Sequence, residues 1–167
     1  MSIKDGSKDS TGTISLKKIT RRNVDAVLAL KVKPKQERLV ATNATSIAQA
    51  HFYKDAWFRA IYLGETPIGF ILIVDSTLKF KKLGKKTPNL YIWRFMIDGT
   101  YQGKGYGRKA MELVIAHLKN RPNAKEVTLH HEQSDGNAGD FYEKLGFKLT
   151  GKVIFNELER KLILFEV

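Results

Sequence analysis

The sequence predicts an α/β domain, a mixed β-sheet with helices packed on it, and three observations carry that expectation. Strand-like and helix-like apolar patterns follow one another along the 167 residues in the order β-α-α-β-β-β-α-β-α-β-β. LYIWRFMI, Leu90–Ile97, is a nearly unbroken apolar run of the kind that a central, doubly covered strand shows. Directly after it, YQGKGYGRKAMELVIAHL sets Gly103, Gly105 and Gly107 ahead of an apolar-periodic helix.

Taken in order, residues 1 to 13 are polar and rich in Gly, Ser and Thr, so they read as a disordered tail before a single domain over 14–167. ISLKKI, Ile14–Ile19, alternates like a first strand. Thr20 can cap a helix carrying Val24, Val27, Leu28 and Val32 at helical spacing, which Pro34 should end. Ser46, with Gln49 three residues on, has the capping-box spacing of a second short helix. Trp57–Tyr62 and Ile68–Val74 read as a hairpin closed across LGETP.

After Leu90–Ile97 comes the Gly-rich turn, then a helix with Ala110, Met111, Val114, Ile115 and Leu118 on one face. Glu126–His131 is another strand. Ala138, Phe141, Tyr142 and Leu145 mark a short helix closed by Gly146. Two strands, near Phe147–Ile154 and Arg160–Val167, complete the chain.

Composition is that of an ordinary globular protein, with 43% hydrophobic and 28% charged residues. No apolar run is long enough to span a bilayer, and the start lacks the apolar core of a secretion signal, which fits a cytoplasmic protein. Without cysteine there is no disulfide, thiolate metal site or cysteine nucleophile, and no other cluster suggests a metal. The net charge of +12 attracts anions in general. Lys79–Lys86 is the densest basic run and reads as a solvated loop. Nucleic-acid binding is not favoured, because aromatic and basic residues do not alternate and no zinc-finger or helix-turn-helix pattern occurs.

The turn itself reads as an anion site. A helix N-terminus offers unpaired N–H groups and a partial positive charge, and glycines let the backbone approach closely. Lys104 and Arg108 add charge at the rim. The spacing G-x-G-x-G is not the dinucleotide fingerprint G-x-G-x-x-G. Nor is it the phosphate-binding G-x-x-x-x-G-K-[ST], since Gly99 lies one residue too close to Gly103 and Gly105 follows Lys104.

Gln102-Gly-Lys-Gly-Tyr-Gly107 followed by Arg108 resembles the [QR]-x-x-G-x-[GA] motif of the GNAT superfamily of acyl-CoA-dependent N-acyltransferases. NAGDFYEKLGF, Asn137–Phe147, is similar to that superfamily's A-x-x-x-Y-x-x-x-G-F element, and the resemblance runs from about Ile14 to the end. RFMID-x-x-YQGKGYG with FYEKLGF-x-x-TG most resembles the bacterial spermidine and diamine N-acetyltransferases.

The resemblance implies a central sheet whose two parallel strands splay, with acetyl-CoA as cosubstrate in the opening. It implies that Phe95, Met96 and Ile97 lend backbone groups to the pantetheine arm. Gln102, Gly103, Lys104, Gly105, Tyr106, Gly107 and Arg108 would wrap the pyrophosphate. Tyr142 matches the tyrosine that protonates the departing thiolate, although its spacing with Phe141 and Leu145 equally suits a core residue. The position seven before that tyrosine, commonly Asn, is Asp135 here, so either Asn137 replaces it as a cofactor contact or the loop shifts.

An acidic pair that eukaryotic polyamine acetyltransferases carry is replaced here by Trp93 and Arg94. A polyamine acceptor therefore needs another acid, from Glu37, Glu132, Glu157 or Glu159. The general base is His130, His131, Glu132 or water. The reading implied is acetyl transfer to a primary amine, a polyamine or diamine such as spermidine or spermine. A peptide N-terminus, an amino sugar, or a non-catalytic nucleic-acid-binding or regulatory role are the alternatives, and a homodimer is compatible with the sequence.

Overall fold

The computed structural model describes residues 12–78, 81, 82, 84, 87–134 and 138–165. Asp135, Asn137, nearly all of the expected tail and much of the Lys79–Lys86 run lie outside them. Seven strands form one sheet: β1 (Ile14–Lys17), β2 (Ala56–Leu63), β3 (Thr66–Asp75), β4 (Leu90–Ile97), β5 (Glu126–Glu132), β6 (Lys148–Ile154) and β7 (Glu157–Ile163). Their spatial order is β1-β2-β3-β4-β5-β7-β6, antiparallel throughout except for the parallel pair β4 and β5. The mixed sheet with flanking helices is the architecture that the sequence predicts.

Four helices cover the sheet: α1 (Val24–Leu28), α2 (Asn43–Ala50), α3 (Tyr106–Lys119) and α4 (Gly139–Lys144). Tyr106, Ala110, Met111, Val114 and Leu118 of α3 are buried at the period expected of an amphipathic helix. They pack with Tyr142 of α4, Ile92 of β4 and Leu129 of β5 on one face of the sheet. Val27 of α1 and Ala50 of α2 pack with Phe70, Leu72 and Met96 on the other.

The strand covered on both sides is β3, buried from Ile68 to Asp75, and not β4 as the apolar run suggests. Tyr91 and Trp93–Phe95 are only half-buried, because β4 borders a cleft along its middle. Fully burying each large side chain of β3 contributes about 1.5–3 kcal/mol, so that strand anchors the sheet.

Several boundaries differ from expectation: β1 ends at Lys17 and Asn23, not Thr20, is the N-cap of α1, and three further differences have a visible cause. α1 stops at Leu28, well before Pro34, because Lys31 leaves the helix for tertiary bonds: its N–H donates to Asp98 Oδ2 at 2.9 Å and its carbonyl accepts from the Gly99 N–H at 2.8 Å. α2 starts at Asn43, since the Thr42 hydroxyl caps the Thr45 N–H at 3.2 Å and Ser46 falls inside the first turn. β7 begins at Glu157 and not Arg160, because Phe155 and Asn156, both at positive φ, close a tight hairpin.

Candidate active site

The site starts from a fork in the sheet. β4 and β5 pair only at Tyr91↔Thr128 and Ile92↔Leu129, after which the two strands part. A bulge in β4 helps to part them: against β3, Leu72 opposes Arg94 while Ile73 opposes Ile92, so Trp93 is the extra residue. The bulge also puts two successive side chains on the α2 side of the sheet. Trp93 stacks edge-on against Tyr53 at 4.8 Å, and Arg94 Nη2 donates to Gln49 Oε1 at 3.5 Å. Beyond Ile92 no described strand pairs β4 on its β5 side, so that edge of the strand lies open to an extended ligand, although Arg94 Nη1 already donates to Trp93 O and Gln102 Nε2 to Ile97 O.

The turn after β4 completes one end of the fork. Gly103 and Gly105 have φ of 75° and 80°, a region that costs other residues 1–2 kcal/mol or so. A Cβ on either would meet no atom within 4 Å, so both face open space. Gly105 is the N-cap of α3, whose first N–H groups therefore have no side-chain cap and point outward from the turn. Gly107 instead packs against Ile97 and Phe141.

Gln102 braces this turn. Its Nε2 donates to Ile97 O at 2.9 Å and to Gln36 Oε1 at 2.8 Å, so the loop between α1 and α2 is tied to the turn. Gln36, which the sequence does not single out, also accepts from the Lys33 N–H at 3.3 Å. Lys104 bends away, its Nζ donating to Thr100 O at 3.1 Å, and it does not line the cleft. Tyr106 is buried in the core, so only its backbone belongs to the turn. Arg108 does line the cleft, with its Nε 3.0 Å from Glu112 Oε1.

Fork and turn enclose a cavity of about 570 Å³ that runs between the two faces of the sheet. Phe95, Met96, Ile97, Gln102, Gly103, Gly105, Gly107, Arg108 and Tyr142 all line it. Phe95 stacks on Phe141 with centroids 5.8 Å apart, whereas Met96 directs its side chain toward Asn43.

Tyr142 is both core and cleft. Its ring packs edge-on against Phe147, yet it borders the cavity and its hydroxyl hydrogen-bonds to no described residue. Burial, with Tyr91 nearby, pushes its pKa well up, so the phenol keeps its proton.

The two histidines separate cleanly. Arg160 Nε can only donate, and it lies 2.9 Å from His131 Nε2. His131 is therefore protonated at Nδ1, which donates to Glu132 O at 2.8 Å, and both its nitrogens are engaged. His130, on the opposite face of β5, has Nδ1 3.3 Å from the Tyr91 hydroxyl and Nε2 3.5 Å from Glu159 Oε2. Burial alone would raise the Glu159 pKa, but hydrogen bonds from Thr150 and His130 and the charge of Lys152 lower it, so Glu159 is ionised. Tyr91 is held above the usual phenol range, first by burial and then by Glu157.

Of the expected acids, Glu132 and Glu157 line the cavity, while Glu37 and Glu159 do not. Glu132 pairs with Arg38 at 3.2 Å. The Glu157 carboxylate makes no hydrogen bond or salt bridge with a described residue, and it acts on Tyr91 and Arg94 through its charge.

The model of the acetyltransferase (GNAT) family matches residues 16–147. The chain belongs to the GNAT acetyltransferase family. It is 28% identical over 149 residues to a spermine/spermidine N(1)-acetyltransferase of Bacillus subtilis, covering 86% of this chain and 93% of that protein. Among solved structures it is similar to an acetyltransferase from Thermus thermophilus, with a TM-score of 0.68, 17% identity, and coverage of 90% of this chain and 97% of that one. A PaiA N-acetyltransferase from Thermoplasma acidophilum in complex with coenzyme A aligns with a TM-score of 0.64 and 14% identity, over 90% of this chain and 99% of that one.

As a GNAT acetyltransferase the protein uses acetyl-CoA, which supplies an activated acetyl thioester and leaves as a thiol. The residues present fit it: an open strand edge suits an extended arm, and the uncapped start of α3 beside two open glycines suits a pyrophosphate.

Proposed function

We propose that this GNAT enzyme acetylates a primary amine of a polyamine or diamine such as spermidine or spermine. The observation that carries the reading is Glu157, a cavity carboxylate whose side chain makes no hydrogen bond or salt bridge with a described residue and feels Arg94 only through its charge, in a chain similar over most of its length to a spermine/spermidine acetyltransferase. Glu157 holds an ammonium group remote from the one that reacts, which offsets the repulsion that a +12 chain exerts on a polycation.

On the donor side, the backbone of Phe95, Met96 and Ile97 takes the pantetheine arm and the amides from Gln102 to Arg108 take the pyrophosphate. The cleft then positions amine and thioester together, the largest single part of the acceleration. Tyr142, protonated at neutral pH and reaching the cavity, hands its proton to the thiolate that leaves.

A second reading, transfer to a peptide N-terminus, is favoured by Arg94 on the cavity wall, whose guanidinium suits a carbonyl or carboxylate of a longer acceptor. Thiol release from acetyl-CoA over a panel of amines separates the two. Turnover with spermidine or spermine well above that with peptides and amino sugars is expected. Turnover with peptides alone would overturn the polyamine reading.

A further inference from the structure

The acceptor reaches the enzyme as an ammonium ion and must lose a proton before it can attack. We infer that the proton leaves through Tyr91 to His130, with Glu159 holding the imidazole in place. The inference rests on amine acetylation and not on which amine is used.

The geometry of the relay is continuous. The Tyr91 hydroxyl is 3.3 Å from His130 Nδ1, His130 Nε2 is 3.5 Å from Glu159 Oε2, and the Thr150 hydroxyl donates to Glu159 Oε1 at 2.8 Å. An ionised Glu159 is an acceptor only, so it draws the His130 proton to Nε2 and leaves the Nδ1 lone pair facing Tyr91. Tyr91 and His130 both line the cavity, at the point where the strands part.

Two phenols thus converge on the cavity from opposite faces of the sheet. Tyr142 comes from the α4 face and has no described hydrogen-bond partner, whereas Tyr91 comes from the α2 face and is backed by an imidazole. That asymmetry assigns roles: a phenol with no acceptor behind it can give a proton, and a phenol with an acceptor behind it can pass one on.

The step balances. The ammonium N–H donates to Tyr91 Oη while the Tyr91 proton moves to His130 Nδ1. The amine gains a free lone pair, Tyr91 ends as it began, and the imidazolium is stabilised by Glu159. The groups that face this chain are Tyr91 from β4, Glu159 and Glu157 from β7, and Lys152 from β6, whose Nζ is 3.5 Å from Glu159 Oε1. Arg94 acts on Tyr91 through its charge. His131 is excluded, because Arg160 and the Glu132 carbonyl occupy both its nitrogens.

The test combines kinetics with nitrogen NMR. Nitrogen-15 spectra of the free enzyme should show opposite neutral tautomers, His130 protonated at Nε2 and His131 at Nδ1; His130 protonated at Nδ1 would overturn the relay. His130→Gln should lower kcat with spermidine at pH 7 about 100-fold, with acetyl-CoA affinity unchanged within twofold. Should the panel exclude polyamines, the amine it returns replaces spermidine.

The loss should shrink as pH rises past the amine's own pKa, where the acceptor is already neutral. Tyr91→Phe and Glu159→Gln, milder changes, should show the same pH-dependent loss at about tenfold. An unchanged kcat in all three variants, or an equal loss at every pH, would overturn the assignment.

Discussion

The two ends of the cleft are built from different materials. The end proposed for the donor is backbone: a strand edge released by a fork, two glycines at positive φ, and the uncapped start of α3. The end proposed for the acceptor is side chains: Arg38 paired with Glu132, Arg94 beside Trp93, Glu157 with a carboxylate that makes no hydrogen bond or salt bridge with a described residue, and the Tyr91–His130–Glu159 chain. Backbone groups are the same whatever the residue, so the donor end needs only a few positions where glycine is obligatory. Side chains carry selectivity, and each can be exchanged without disturbing the sheet. One family can therefore keep a single donor and vary the acceptor.

The hardest way to break this contrast is at the donor end. Gly105→Val should weaken acetyl-CoA binding by at least about 100-fold, close to 3 kcal/mol, because a β-branched residue at φ 80° is strained and fills the open space of the turn. Calorimetric titration of a variant with unchanged circular dichroism checks it. Retained affinity would show that the turn does not cradle the pyrophosphate.

Tyr142→Phe should lower kcat by about 30-fold and leave acetyl-CoA affinity intact, since only the proton is removed while the ring still fills its place against Phe147. Single-turnover kinetics provide the comparison. An unchanged rate would return Tyr142 to the core alone.

A smaller effect sharpens how the two ends are joined. Asp98 accepts from the Lys31 N–H and from both the N–H and the hydroxyl of Thr100, tying the α1–α2 loop to the start of the turn. Burial would raise its pKa, but these hydrogen bonds win and lower it. A depressed carboxylate pKa contributes stability that is present above the ordinary aspartate value of about 3.9 and is lost as pH falls through the lower value in the fold. Asp98→Ala should cost about 1 kcal/mol at neutral pH, with the difference from the parent closing on acidification. Urea melts from pH 7 to pH 2 measure this. A difference that does not change with pH would remove the charge from the explanation.

The glycine turn proposed for the donor was legible in the sequence, whereas for the acceptor the sequence offered a set of candidate acids and bases without their arrangement. Glycine spacing at 103, 105 and 107 has a local cause, so it survives without knowledge of the fold. The same applies to the periodicity of α3 and to the hairpin of β2 and β3. The acceptor end depends on register. A one-residue bulge at Trp93 and a hairpin turn at Phe155–Asn156 decide that Arg94 lies on the α2 side and that Glu159 opposes His130. Neither has a strong local signal, and β7 read as starting at Arg160 leaves Glu157 and Glu159 in a loop. Gln36 escaped notice because its bond to Gln102 spans 66 residues. Lys104 and Tyr106 stood in the motif, yet their side chains turn to Thr100 and to the core.

The division between a backbone-built donor end and a side-chain-built acceptor end is tested most directly by Glu157→Gln. The measurement is kcat/KM for spermidine and for n-butylamine, an acceptor with no second ammonium group, in the parent and the variant. The account predicts that the parent prefers spermidine and that the variant loses about tenfold with spermidine, close to 1.4 kcal/mol, while n-butylamine turnover and acetyl-CoA affinity stay as they were. An unchanged preference for spermidine in the variant, or an equal loss with both amines, would contradict it.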